Sequence, residues 1–221
     1  MTAPHITCVY GSAEGEYVIK KSRFLVHLKE VRREDEATAY IEALKKQYWD
    51  ANHNCSAYCI GSNGMIQKSS DDGEPSGTAG RPMLETLKKQ GLTNTVVVVT
   101  RYFGGIKLGA SGLIRAYSHS VTVGLSHADI AEYLPYVTLA VRIGYPFVSV
   151  LERLAPEVDA IVKDRAFSDT VTFTLQVPED KVPQLTKDVT NSTNGKAELK
   201  ELGTSVIPII RSKETKTDPS I

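Results

Sequence analysis

The sequence predicts a two-domain α+β protein, and three observations carry that expectation. A chain of 221 residues, 41% hydrophobic and 24% charged, has the length and composition to bury two cores of roughly 100 residues each. Apolar residues recur at helical spacing in some segments and alternate in others, with the two patterns interspersed along the chain. After Pro135 the segments run in the order βαββαβ, which predicts a ferredoxin-like half-open sandwich. The expected division is therefore 1–133 and 136–210, with a linker near residues 130–136 and a polar tail over 211–221.

The elements follow in order. Tyr17–Leu28 reads as extended, since Val18, Phe24, Val26 and Leu28 place apolar positions between basic ones. Glu34–Tyr48 reads as a helix: Ala37, Ile41, Leu44 and Tyr48 form one stripe. Acids occupy its first turn and Lys45 and Lys46 its last, which the helix dipole favours. Cys55–Ile60 and Met65–Lys68 predict a hairpin turned by Gly61-Ser62-Asn63-Gly64. A helix over Pro82–Gln90 stops at Gly91, and Asn94–Arg101, with valine at 96 through 99, predicts a strand buried on both faces. The next helix runs to about His127 and buries Leu113, Ala116, Tyr117, Ser120 and Val121. Beyond Pro135 come a strand at Tyr136–Ile143, a helix at Pro146–Leu154 and strands at Ala160–Lys163 and Val171–Val177. A helix at Glu179–Val189 and a strand at Ala197–Ile210 complete the pattern.

Two polar, glycine-rich loops interrupt this pattern. The first, Gly104–Gly112, precedes a helix, where unpaired N–H groups and the positive end of the dipole favour an oxyanion. Gly104 and Gly105 allow close backbone approach, Lys107 adds charge, Ser111 a hydroxyl, and Arg101 sits on the preceding strand end. The spacing is neither a Walker loop nor a Rossmann fingerprint, and a tight turn with close helix–sheet packing would require the same glycines. The second loop, Asp71–Gly80, carries Asp71, Asp72 and Glu74. Such an oxygen cluster can hold a divalent cation, but no twelve-residue EF-hand frame is present. Solvated acids contacting a partner are the expected reading, with Ser76 or Thr78 capping the following helix. His53 is a candidate for proton transfer beside Cys55, against the commoner alternatives of a hydrogen-bonded histidine and a buried thiol.

Charge and cysteine content exclude several classes. The formal net charge is zero: fifteen bases face fourteen acids up to Pro135, and eleven face twelve beyond it. Any polyanion surface must therefore be a local patch. Three cysteines are too few for a disulfide framework and suit a reducing cytoplasm. The first six residues have no signal-peptide pattern, and no apolar run is long enough to span a bilayer.

Lys21-Ser-Arg-Phe24, Asn52-His-Asn-Cys-Ser-Ala-Tyr58, Asp71-Asp-Gly-Glu-Pro-Ser-Gly-Thr-Ala-Gly80, Arg101-Tyr-Phe-Gly-Gly-Ile-Lys-Leu-Gly109 and Gly112-Leu-Ile-Arg-Ala-Tyr117 together resemble the IMPACT/YigZ family. The resemblance covers residues 15–125, and the C-terminal segment is similar to the domain appended in bacterial members. It implies an N-terminal domain like the second domain of ribosomal protein S5, and a C-terminal ferredoxin-like domain like domain V of the translocation elongation factor. Eukaryotic members regulate translation through a stress kinase pathway. The expectation is thus a cytoplasmic RNA- or ribosome-associated regulator of translation, with no cofactor or metal. Arg101, Lys107 and Arg115 would contact phosphate, supported by Lys20, Lys21 and Arg23. Two alternatives stay open: an enzyme acting on a phosphorylated or carboxylated small molecule, and a protein-interaction module.

Overall fold

The computed structural model describes residues 6–211; the expectations for the first residues and for the tail beyond Arg211 lie outside it. The described residues divide into one unit comprising 6–132 with 209–211, and a second comprising 133–208.

In the first unit the sheet order is β2(Ser12–Ile19), β3(Ser22–Glu30), β6(Thr95–Tyr102), β4(His53–Ile60), β5(Ile66–Ser70), with β1(Ile6–Val9) outside it. All four pairings are antiparallel. Helices α2(Gly80–Lys89) and α3(Ala110–His127) pack on one face, and α1(Glu34–Gln47) lies against β4 and β6. The period of two along β6 explains its unbroken valine run. Val97 and Val99 join Phe24, Leu28, Met83, Leu87 and Tyr117 in the main core, while Val96 joins Ala37, Tyr58 and Ile60.

The stretch expected as one extended segment over Tyr17–Leu28 is instead a hairpin. Its turn is Lys20-Lys21, with φ of +46° and +63°. Positive φ at both central residues is the type I′ arrangement that matches strand twist, but glycine and asparagine are its usual residues. Two lysines gave no turn signal, so the alternation ran on through them.

The second unit follows the βαββαβ order. It contains β7(Ile130–Ile143), α4(Val148–Glu157), β8(Ile161–Phe167), β9(Val171–Pro178), α5(Val182–Ser192) and β10(Glu198–Arg211). The strand order is β10–β7–β9–β8. Leu139, Val141 and Ile143 of β7, Phe173 and Leu175 of β9, Leu151 of α4 and Leu185 of α5 form its core. No loop marks the boundary expected near 130–136: β7 runs unbroken through Pro135. Proline can occupy a strand position whose N–H is not needed by the ladder.

Candidate functional site

Strand register assembles the site. Tyr17 lies opposite Phe24, Phe24 opposite Arg101, and Arg101 opposite His53. Directly paired residues share a face, so one row crosses β2, β3, β6 and β4 on the side where α2 and α3 pack. Arg101, whose side chain is 7% exposed, pairs through Nη1 with Oε1 of Glu74, 3% exposed, at 2.5 Å. The Tyr117 hydroxyl of α3 donates to the same oxygen at 2.8 Å. The guanidinium carbon lies 5.4 Å from the Phe24 ring centre and 5.5 Å from that of Phe103.

The Asp71–Gly80 loop is held from within. Asp71 accepts the backbone N–H groups of Gly77, Ala79 and Gly80. Burial works against ionisation of its carboxyl, but those three bonds outweigh it and hold its pKa below the ordinary 3.8. Asp72 takes Lys45 Nζ at 2.9 Å and the Asn54 N–H at 2.7 Å. The three acids expected to be solvated are therefore engaged with the protein: Asp71 satisfies N–H groups of its own loop, while Asp72 and Glu74 bind groups from outside it. Asp71 serves the opening of α2; Thr78 donates instead to the Pro75 carbonyl, and no side chain bonds from the N-cap position, Ala79. Ser76 is exposed.

His53 accepts nothing at Nδ1: the partner there is the Asp72 carbonyl at 2.8 Å. A carbonyl can only accept, so Nδ1 carries a proton, and in the corresponding neutral tautomer Nε2 is an acceptor. Nε2 lies 4.0 Å from Glu74 Oε1. Cys55, two residues along, is fully buried and donates toward the Asp71 carbonyl and Tyr117 hydroxyl. Burial pushes its thiol up to about 12, which disfavours the thiolate that a nucleophile needs.

His53, Glu74 and Arg101 form one wall of an open cleft of about 420 Å³, completed by Asn52, Phe103, Lys107 and the residues Gly109 and Ala110 at the start of α3. Lys107 makes no ion pair among the described residues, and no side chain caps α3. A separate groove of about 640 Å³ runs between α2, α3 and the β2–β3 hairpin. Lys20, Lys89 and Arg115 line it with Tyr17, His119 and Thr122, and no carboxylate does.

The expected cationic set is thus divided. Arg101 is not a free cation but the partner of Glu74. Arg115 lines the groove, away from Lys107. Arg23 pairs with Glu16 at 2.7 Å and projects from the opposite face to Phe24, hence away from Arg101. Lys21 is exposed at its turn. Gly104 answers to packing: a Cβ there would lie 2.0 Å from the Lys21 carbonyl carbon, whereas Gly105, at φ +82°, faces open space. Ser111 is exposed in the first turn of α3.

The family model for the Impact N-terminal domain matches residues 20–125, and that for a domain of unknown function, DUF1949, matches 141–196. The IMPACT family member YvyE of Bacillus subtilis is 48% identical over 190 residues, covering 86% of this chain and 88% of YvyE. The chain belongs to the IMPACT family. YigZ of Escherichia coli, another IMPACT family member, is 32% identical over 82% of this chain and 90% of its own. A crystal structure of a hypothetical protein is similar at 29% identity and a TM-score of 0.58, covering 89% of this chain and 97% of that one.

In this IMPACT-family chain, the sequence alone places Tyr117 only in the core and gives Lys45, Asn52 and Lys89 no part in the site. Tyr117 sits on the buried stripe of α3, where a hydroxyl needs a partner; that need was the available signal. The other three depend on strand register and helix packing, which no local pattern encodes.

Proposed function

We propose that this chain is an RNA- or ribosome-associated regulator of translation that works by binding phosphate backbone along the α2–α3 groove. One observation carries the reading: Lys20, Lys89 and Arg115 line a broad open groove with no acid among its lining residues. In a chain of zero net charge, such local segregation is what backbone recognition requires. Tyr17 and His119, whose rings meet edge-to-face at 4.5 Å, give that groove a surface on which a base can stack.

Two further points support the setting. The strand order β10–β7–β9–β8 with βαββαβ connectivity agrees with a ferredoxin-like domain over 136–210, and membership of the IMPACT family agrees with an S5-like domain over 1–133. Both fold types serve translation, although fold alone assigns no function. No helix among the described residues is long and apolar enough to cross a membrane; a cytoplasmic setting belongs to the same reading, as does any protein partner recruited beside RNA.

The test is binding of the full chain to ribosomes and to a structured RNA across a salt series, for wild type and for Lys20→Ala/Lys89→Ala/Arg115→Ala. Each phosphate contact contributes about 0.7–0.9 to the slope of log affinity against log salt. The triple variant is expected to bind more weakly and to lose roughly two units of slope. Unchanged affinity, or binding insensitive to salt, rules the reading out. Nuclease treatment before recovery from lysate separates RNA-mediated association, which it abolishes, from direct protein contact.

A further inference from the structure

The cleft around Arg101 is a second site, distinct in chemistry from the groove. Its residues come from four places: Asn52 and His53 where β4 begins, Glu74 and Pro75 in the acidic loop, Arg101 and Phe103 at the end of β6, and Lys107 to Ala110 at the start of α3. At about 420 Å³ it falls within the roughly 300–1,000 Å³ range of small-ligand pockets.

Three sources of donors line it. Lys107 brings a full positive charge with no acidic partner among the described residues. The first N–H groups of the eighteen-residue α3 have no side-chain cap, and its N-cap residue is Gly109, at φ +71°. Arg101 supplies the independent observation. Its side chain is more than nine-tenths buried, Nη1 is committed to Glu74, and Nε has no hydrogen-bond partner within the protein. A guanidinium N–H left unmatched in such a place is costly unless something else accepts it.

Glu74 does not spoil the site for an anion. Its Oε1 is already neutralised by Arg101 at 2.5 Å and bonded by Tyr117 at 2.8 Å. Net charge in the cleft is therefore set by Lys107 and by the helix dipole. His53 contributes a different function. With Nδ1–H fixed on the Asp72 carbonyl, its Nε2 lone pair accepts from a hydroxyl or amine.

We infer that this cleft binds a small phosphate ester bearing a hydroxyl, the phosphate lying against Lys107, the first amides of α3 and the Arg101 guanidinium, the hydroxyl donating to His53 Nε2. Phosphate suits three donor groups better than a lone carboxylate, since it offers more acceptor oxygens. The site is independent of RNA binding: Leu108 lines both surfaces, but the cations of the groove and those of the cleft are different residues.

The experiment is an amide NMR titration of the full chain with inorganic phosphate and with glycerol 3-phosphate, at ionic strength held constant with chloride. Saturable shifts are expected at Ala110, Ser111 and Gly112, with the ester binding more tightly than inorganic phosphate. Lys107→Ala removes an exposed side chain without a partner, so the fold stays intact. It is expected to weaken both ligands by about tenfold, as loss of one charge-assisted contact does. Lys89→Ala/Arg115→Ala is expected to leave both affinities unchanged. His53→Gln is expected to reduce the advantage of the ester over inorganic phosphate. Absence of saturable shifts, equal affinity in Lys107→Ala and wild type, or loss of phosphate binding in the groove variant instead would each overturn the assignment. The RNA salt series scores the groove separately, so either site can fail alone.

Discussion

The buried Glu74–Arg101 pair gives the most demanding test of the site's architecture. Arg101→Met removes the guanidinium and leaves a carboxylate that is 3% exposed, with the Tyr117 hydroxyl as its remaining close donor. Glu74→Gln does the reverse: the amide oxygen can still take Tyr117, but a guanidinium that is 7% exposed loses its counter-charge. Breaking one side of a buried ion pair costs about 3–5 kcal/mol, far more than an exposed pair would. The double variant Glu74→Gln/Arg101→Met strands neither charge, so its cost is expected to fall short of the summed single costs by about 2 kcal/mol or more. Hydrogen exchange at the β6 amides, read by mass spectrometry, reports the opening of this unit directly. The single variants should speed exchange by on the order of a hundredfold, the factor that roughly 3 kcal/mol represents. Additive single costs would refute the coupling, and single costs below about 1 kcal/mol would mean that the pair behaves as a solvated one.

Three further outcomes follow from the same geometry. Asp71 has a depressed pKa, so its contribution is present above the ordinary 3.8 and is lost as pH falls through its lower folded value. Asp71→Asn should cost about 1–2 kcal/mol at neutral pH, with the gap closing in acid denaturation below pH 3.8; a gap independent of pH would contradict this. Gly104→Ala should destabilise by about 2 kcal/mol or more, since its Cβ meets backbone. Gly105→Ala should cost only about 1–2 kcal/mol, from its left-handed φ, and thermal melts that rank the two in the opposite order would defeat the packing account. Replacing Lys20-Lys21 by Asn-Gly should raise stability by about 1–2 kcal/mol, by relieving two left-handed lysines, while weakening RNA binding; a fall in melting temperature would show that the turn is not strained.

Much of the fold was legible because local patterns carry it. The α1 stripe, the valine run of β6 and the βαββαβ order each follow from a single periodicity and need no knowledge of neighbours. The errors occur where chemistry departs from the commonest choice. The Lys20-Lys21 turn has no glycine, and β7 passes through Pro135 as though it were an ordinary strand residue. In the candidate site, both loops were identifiable from composition, but the state of their charges was not. Whether Glu74 is solvated or buried depends on Arg101 standing opposite His53 across β6 and β4, a register fact that links positions nearly fifty residues apart.

The same dependence on packing explains why the expected cationic set divides between two surfaces. Arg101, Lys107 and Arg115 are close in sequence and share a sign, so proximity along the chain suggests a common target. Helical geometry separates them. On α3, Arg115, Ser118, His119 and Thr122 fall at i, i+3, i+4 and i+7 and line the groove. Leu113, Ala116, Tyr117, Ser120, Val121 and Gly124 form the buried stripe beside them. Lys107 and Gly109 precede the helix and meet its first residue, Ala110, at the cleft. Between these surfaces the buried stripe carries Tyr117, whose hydroxyl ties α3 to Glu74 and thereby to Arg101. A core residue therefore sets where the helix starts relative to the strand ends, and so fixes the cleft. Substitution of Tyr117 by Phe keeps the packing of that stripe but removes the tie. On the two proposed assignments, it should disturb phosphate binding at Lys107 while leaving the salt slope of RNA binding through Lys89 and Arg115 unchanged, which a purely shared surface could not do.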